Sequence, residues 1–229
     1  IDALWDEQFA SYIFDLFIQE KEIVGNGGRI DFRSGKILQE EVDPDEITPS
    51  LLRGEQSNTS IKFGEKAILK FFRKKEEGIN PDLEIGQYLT EEGFEYSHSV
   101  LGSIKYRPMR GGEDSTIGIL HEYFTNEDDA WDYTLEHLSR YYERLMAESG
   151  KDRDEVSIPE TTLLELAEKD YPEQALEMIG PYVQSAESLG KRTGEMHRAL
   201  ANNTHDRNFA PEGFSRSEQR AIYQSIRTS

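Results

Sequence analysis

The alternation of apolar and polar residues in the first half of the chain predicts a β-hairpin. Two apolar runs, residues 60–63 and 67–72, lie on either side of a turn that contains Gly64. Runs of this kind, joined by a short glycine-containing turn, are typical of paired antiparallel strands. Pro81 follows, and proline is well suited to begin a helix because the N–H that it lacks would have no intrahelical partner there. We therefore predict a hairpin followed by a helix.

Two further strands and a helical second half are predicted in the same way. Residues 100–106 and 115–124 have the composition of strands and are separated by a turn at residues 110–112. After residue 125 the spacing of apolar residues changes to the period of an α-helix. Helices are predicted to begin near Asn126, Pro159, Pro172, Pro181 and Ser215, with a loop at residues 149–157. Ser215 and Glu218 have the spacing of a capping box for the last helix.

The first 50 residues predict a helix and a short hairpin. A stripe of large apolar residues at intervals of three to four predicts a helix from about residue 3 to residue 20, with this stripe against the core. Its members are Trp5, Phe9, Tyr12, Ile13 and Phe17. Residues 29–32 and 36–39 are predicted to pair as strands, and the acidic residues of 40–46 to form a solvated link. The predicted fold class is therefore α+β.

Composition limits the cellular setting that the sequence predicts. No apolar run approaches the length of about 18 residues that would suggest a membrane span. The first residues lack the basic segment of a signal peptide. We therefore expect a cytoplasmic protein, or an internal segment of a longer cytoplasmic protein, with no membrane partner. The absence of cysteine excludes disulfides, thiolate catalysis and cysteine-bound zinc.

The charge of the chain argues against nucleic-acid binding. The 45 acidic and 26 basic residues give a formal net charge of −19. This charge would repel the phosphates of nucleic acids and of anionic lipids, so neither is an expected partner. A nucleotide needs only a local group of cations, and one cluster supplies it. Its members are Lys62, Lys70, Arg73, Lys74 and Lys75.

The strongest candidate for chemistry is Lys70, which lies on a predicted strand. Glu84 follows in the first turns of the predicted helix. A strand lysine that binds nucleotide phosphates, together with a helix glutamate that holds the lysine, is the arrangement of a kinase small lobe. Two simpler interpretations are a solvated edge lysine and a surface ion pair worth about 0–1 kcal/mol.

Residues 56–60 are a candidate for the loop that covers the phosphates. The stretch has neither the G-x-G-x-x-G of protein kinases nor a Walker P-loop. Ser57, Asn58, Thr59 and Ser60 instead offer hydroxyls, an amide and backbone N–H groups to phosphate oxygens. A polar β-turn without a ligand is the alternative.

Several stretches together resemble maltokinase, and Ser57-Asn58-Thr59 is a specific part of that resemblance. The matching stretches are residues 55–60, 68–74, 78–85, 118–131 and 189–200, so that the match runs from about Leu51 to the end of the chain. Maltokinases transfer phosphate from ATP to maltose, which gives maltose 1-phosphate, and are often fused to trehalose synthase. The resemblance implies a cap at 1–50, a kinase-like small lobe and hinge at 51–125, and the start of an incomplete large lobe at 126–229.

The resemblance also implies roles for individual residues. Lys70 would bind the phosphates of ATP with Glu84 orienting it, and Ser57 to Ser60 would cover them. The hinge, residues 121–124, would place adenine near Glu122 and Phe124.

The groups that complete the kinase reaction are absent from this sequence. The family has a His-Gly-Asp loop and a later Asp-Phe-Glu strand, which orient the sugar hydroxyl and bind magnesium, and neither motif occurs here. The resemblance therefore implies a fragment without catalytic residues, and the Mg²⁺ ligands are expected outside this chain. Two alternatives remain open. The chain could be a segment of a trehalose synthase–maltokinase fusion, or a non-catalytic cap and interaction module.

Overall fold

The chain forms two compact units. The computed structural model describes residues 3–42, 47–52, 58–126, 129–147, 161–171, 173–202 and 206–228. The first unit, here called the sheet unit, comprises Ile1–Phe124 and Glu195–Ser229. The second, the helical unit, comprises Thr125–Gly194. The division into a cap, a small lobe and the start of a large lobe, with boundaries at residues 50 and 125, stays a prediction.

One antiparallel sheet organises the sheet unit. Among the described residues it has seven strands in the order β1-β2-β6-β7-β5-β4-β3. The strands are β1 (Glu22–Val24), β2 (Gly28–Ser34), β3 (Pro49–Leu52), β4 (Asn58–Phe63), β5 (Ala67–Phe72), β6 (Val100–Pro108) and β7 (Ser115–Glu122). The predicted hairpin is confirmed as β4–β5, in which Ser60 lies opposite Lys70. The α+β class is confirmed, and the first 50 residues supply β1, β2 and the start of β3 to this same sheet.

Helices cover both faces of the sheet. They include α1 (Glu7–Ile18), α2 (Lys36–Glu41) and α3 (Pro81–Glu91). Leu120 is in the large core with Phe14 and Phe17 of α1, whereas the preceding residue, Ile119, packs with Leu83 of α3. Because neighbouring residues of a strand point to opposite faces, α1 and α3 lie on opposite sides of the sheet.

The start of α3 follows the sequence signals. Pro81 occupies the first turn, and the Asn80 side chain accepts a hydrogen bond from the N–H of Leu83 at 3.1 Å. Asparagine is among the best N-cap residues because its side-chain oxygen satisfies an N–H that has no intrahelical partner. The predicted helix start is therefore confirmed.

The structure corrects two predictions for the first 50 residues. The first helix begins at Glu7, after a short 3-10 turn at Ala3–Trp5, and its buried side chains are Ala10, Ile13, Phe14, Leu16 and Phe17. Phe9 and Tyr12 of the predicted stripe are 38% and 52% exposed, and the Trp5 side chain lies outside the described part. Residues 36–39 belong to helix α2 instead of a strand. This stretch consists mainly of good helix formers, and its Leu38 is fully buried in the core.

The remaining helices are α4 (Ala130–Ala147), α5 (Leu163–Ala167), α6 (Glu173–Ile179), α7 (Tyr182–Ala201) and α8 (Arg216–Thr228). The cap of α4 is Asp129, not the predicted Asn126, because the Asp129 carboxylate accepts from the N–H of Asp132 at 2.8 Å. The predicted capping box of α8 is confirmed, since Ser215 and Glu218 each accept from the N–H of the other. Pro159, Pro172 and the predicted loop at 149–157 lie outside the described residues. No helix in the described part could cross a bilayer.

Two glycine substitutions test the packing of the sheet. A Cβ on Gly102 would lie 2.6 Å from the carbonyl oxygen of Arg33 and 2.9 Å from Cδ1 of Phe17. We expect Gly102→Ala to lower the free energy of unfolding by about 1–3 kcal/mol, because one obstacle is the main chain of the neighbouring strand and the other is a fully buried ring. In α7, a Cβ on Gly194 would meet nothing within 4 Å. Gly194→Ala should therefore stabilise the chain by up to about 1 kcal/mol. Equal effects of the two substitutions in urea unfolding would contradict this packing.

Candidate nucleotide site

Lys70 lies on the face of the sheet that α3 covers. It is directly opposite Ile119 of β7, and opposed residues of antiparallel strands share a face. Ile119 packs against Leu83 of α3 in a buried cluster with Val100. The Lys70 ammonium lies 3.1 Å from Oδ2 of Asp82, with the two side chains 34% and 58% exposed. The pair is thus reachable from solvent.

The carboxylate at Lys70 is Asp82 instead of the predicted Glu84. Glu84 accepts a hydrogen bond from the side-chain amide of Asn208 at 2.9 Å. Asp82 reaches Lys70 and Glu84 does not because of the rotation of α3 about its axis, which is fixed by the burial of Leu83 against the sheet. Successive helix residues point about 100° apart, so Asp82 and Glu84 project to opposite flanks of Leu83. Only the Asp82 flank faces Lys70.

Three of the four predicted phosphate-covering residues are strand residues. Asn58, Thr59 and Ser60 begin β4, and Thr59 and Ser60 are buried. The Thr59 hydroxyl accepts a hydrogen bond from Nε of Arg73 at 3.1 Å. Ser57 lies outside the described residues. The interpretation of residues 58–60 as a loop is therefore wrong.

At the predicted hinge, Glu122 is held inside the sheet unit. Its N–H donates to the carbonyl of Ser99 at 2.9 Å, and its carboxylate accepts from the Ser99 hydroxyl at 2.8 Å. Its carbonyl oxygen lies 3.0 Å from Nδ1 of His98. Phe124 is 48% exposed, with its ring 5.1 Å from that of His98. A planar ligand could therefore reach Phe124 without displacing a main-chain bond of Glu122.

His121 is a site feature that the sequence analysis did not single out. It lies opposite Ile68 on β5, two residues along the strand from the partner of Lys70. Burial lowers the pKa of His121 to about 4, and the positive potential of His98 and Lys70 adds to the effect. Its Nδ1 is buried without a hydrogen-bond partner among the described residues. The sequence does contain one signal for His121: it follows Ile119 by two residues, and this spacing in a strand places both side chains on the face that α3 covers.

Most of the predicted cationic cluster is paired with nearby carboxylates. Lys62 lies 2.7 Å from Glu65, and Lys74 lies 2.8 Å from Glu76. Hydrogen bonds to these carboxylates raise the pKa of both lysines. The Lys62 ammonium also lies 4.1 Å from the centre of the Tyr123 ring, in the predicted hinge. Lys70 is thus the member of the cluster that combines a strand position with a partner on α3.

Three solved structures of glucosamine kinase are similar to this chain, whereas no family model matches it. The complex with glucosamine, ADP and inorganic phosphate has 16% identity and a TM-score of 0.49, covering 86% of this chain and 36% of that chain. Crystal form A has 18% identity and a TM-score of 0.43, covering 76% and 32%. Crystal form B has 13% identity and a TM-score of 0.49, covering 97% and 55%. The chain thus spans between 32% and 55% of the length of these neighbours.

A double-mutant cycle tests the partner of Lys70. Because both side chains of the Lys70–Asp82 pair are partly exposed, the cycle with Lys70→Ala and Asp82→Ala should give a favourable coupling below about 1 kcal/mol in urea unfolding. The matched cycle with Lys70→Ala and Glu84→Ala should give a coupling near zero. The opposite ranking would show that Glu84 is the partner.

The buried His121 predicts a loss of stability in mild acid. Its pKa is about 4 in the folded chain and 6.5 for the free side chain, so the unfolded chain binds the proton first as the pH falls. The contribution of His121 to stability should therefore fall by about 2 kcal/mol from pH 7 to pH 5. His121→Gln should reduce the pH dependence by this amount.

Proposed function

We propose that this chain supplies the ATP-binding part of a sugar kinase related to maltokinase. The observation that carries the proposal is the Lys70–Asp82 pair, which joins the third strand of a β3–β4–β5 series to the first turn of α3. In protein kinases the phosphate-covering loop precedes a lysine on the third strand, and a helix carboxylate pairs with that lysine. Here the β3–β4 connection and Lys70 are in the same order, and Asp82 takes the place of the glutamate.

The chemistry of Lys70 fits a polyphosphate. An ammonium group that is one-third exposed and within 3.1 Å of a single carboxylate can accept a second anionic partner without leaving the first. It would lower the repulsion among the phosphate oxygens of ATP, and Asp82 would keep the flexible side chain directed at them.

The base of the nucleotide would lie at the hinge. The exposed Phe124 ring offers a face for stacking, and Lys62 is held over Tyr123 at the same end of the sheet. Glu122 contributes by fixing this segment to residue 99 through main-chain and side-chain hydrogen bonds. In this arrangement Phe124 contacts the base, and Glu122 positions Phe124.

The resemblance to maltokinase supplies the finer parts of the proposal. The acceptor would be maltose, the product maltose 1-phosphate, and the Mg²⁺ ligands and the group that orients the sugar hydroxyl would lie outside this chain. A covalent or non-covalent link to trehalose synthase belongs to the same proposal. By itself the chain would bind nucleotide and transfer no phosphate.

Titration with Mg·ATP tests the nucleotide site directly. Lys70→Ala should weaken binding by about tenfold or more, which corresponds to about 1.4 kcal/mol of lost phosphate contact. Asp82→Asn should weaken it less, because the ammonium remains but is no longer held. Lys74→Ala is the matched control, since Lys74 follows the same strand and forms an ion pair with Glu76. Unchanged affinity in Lys70→Ala, measured in the chain and in the complete enzyme, would refute the proposal.

A further inference from the structure

A cavity lies in the sheet unit, on the flank of α3 that faces away from Lys70. Its volume is about 500 Å³, and its lining includes residues of α3, β6 and β7 together with Asp206 and Phe209. Ligand pockets typically measure about 300–1,000 Å³. Neither Lys70 nor Asp82 lines it, whereas Glu84 does. The cavity is therefore distinct from the proposed nucleotide site.

The charges around this α3 cavity are mostly negative. Its ionisable lining residues are Glu84, Glu91, Glu113, Asp114, Asp206 and Lys105. Asp114 is paired with Arg107 at 3.1 Å, and Glu84 accepts from Asn208. The side-chain carboxylates of Glu91 and Glu113 have no ion-pair or hydrogen-bond partner within the described parts of the chain. Two carboxylates are thus available for a cationic ligand, and an anion would be repelled.

An unsatisfied buried hydroxyl supports a ligand in this cavity independently of the charges. Ser115 lines the cavity and is fully buried, and its Oγ has no hydrogen-bond partner among the described residues. Buried polar groups in folded proteins are almost always hydrogen-bonded, so an orphan hydroxyl beside a cavity needs an explanation. A ligand that reaches the inner wall of the cavity would provide the missing partner.

The remaining wall is apolar and held in place. The Tyr88 and Phe209 rings are stacked with their centres 4.1 Å apart, and both line the cavity. The Tyr88 hydroxyl donates to the carbonyl of Ala199 at 3.2 Å, which fixes the ring. Ile79 and Leu83 complete this side. A ligand with methylene groups between its charges would suit a surface of this kind.

We propose that the α3 cavity binds an aliphatic polyamine. Its ammonium groups would pair with Glu91 and Glu113, and its methylene segments would lie against Phe209 and Leu83. A nitrogen of the ligand would provide the hydrogen-bond partner of Ser115. Binding of this ligand does not depend on nucleotide binding at Lys70.

Calorimetric titration with spermidine, at an ionic strength of about 0.15 M to screen weak surface attraction, tests the proposal. We expect a single saturable site in the unmodified chain. Replacing both Glu91 and Glu113 by Gln should weaken binding by about tenfold, the effect of losing two partly exposed ion pairs. In the matched control, Glu92 and Glu95, which do not line the cavity, are both replaced by Gln. This control should bind spermidine as tightly as the unmodified chain does.

A neutral substitution separates the cavity from the general acidity of the surface. Gln87 is exposed on α3 and lines the cavity, so Gln87→Trp should fill the space without changing the charge or removing a buried contact. We expect this variant to keep its unfolding temperature and to lose the saturable site. Non-saturable binding, equal losses in the two glutamate pairs, or full binding by folded Gln87→Trp would each overturn the proposal.

Discussion

The burial of β7 on both faces is the constraint on which the rest of the sheet unit depends. Ile119 and Leu120 are adjacent and both fully buried, one beneath α3 and the other in the core with α1. Two consecutive buried residues in a strand require cover on both sides of the sheet. This requirement places α3 against β7 through Leu83, and the rotation that buries Leu83 directs Asp82 to Lys70. The candidate nucleotide site is thus a consequence of apolar packing more than of ionic attraction.

Electrostatics then decide what the two flanks of α3 can bind. In a chain with a net charge of −19, most lysines near the proposed nucleotide site are already paired with a neighbouring carboxylate. Lys70 differs because its partner belongs to another element, which holds the ammonium beside the sheet. On the other flank, carboxylates outnumber the single Lys105 around the α3 cavity. One helix therefore separates the proposed nucleotide site from the proposed amine site.

Local signals in the sequence were sufficient for part of this architecture. The β4–β5 hairpin, the start of α3 at Asn80 and Pro81, and the capping box of α8 depend on residues close together in the chain, and each was predicted. No local pattern marks strand β1, because its three residues are all exposed and show no alternation. The six residues of helix α2 are too few to show a helical period, so their sequence pattern alone favours a strand.

The site required information that no local pattern contains. Lys70 was identified from its strand, but the choice of Asp82 over Glu84 depends on Val100 and Ile119, which pack on Leu83 from more than a dozen residues further along the chain. Likewise, Asn208 lies 124 residues from the Glu84 that it binds. His121 became a candidate only once the register of β5 and β7 was known. Tertiary packing therefore selected the partners among residues whose types the sequence had already made candidates.

The most direct test is an experimental structure of the chain with a non-hydrolysable ATP analogue and Mg²⁺. The account predicts phosphate oxygens within ion-pair distance of the Lys70 ammonium, Asp82 still beside it, and the base against Phe124. A nucleotide bound elsewhere on the sheet unit, with the Lys70–Asp82 pair unaffected, would contradict it.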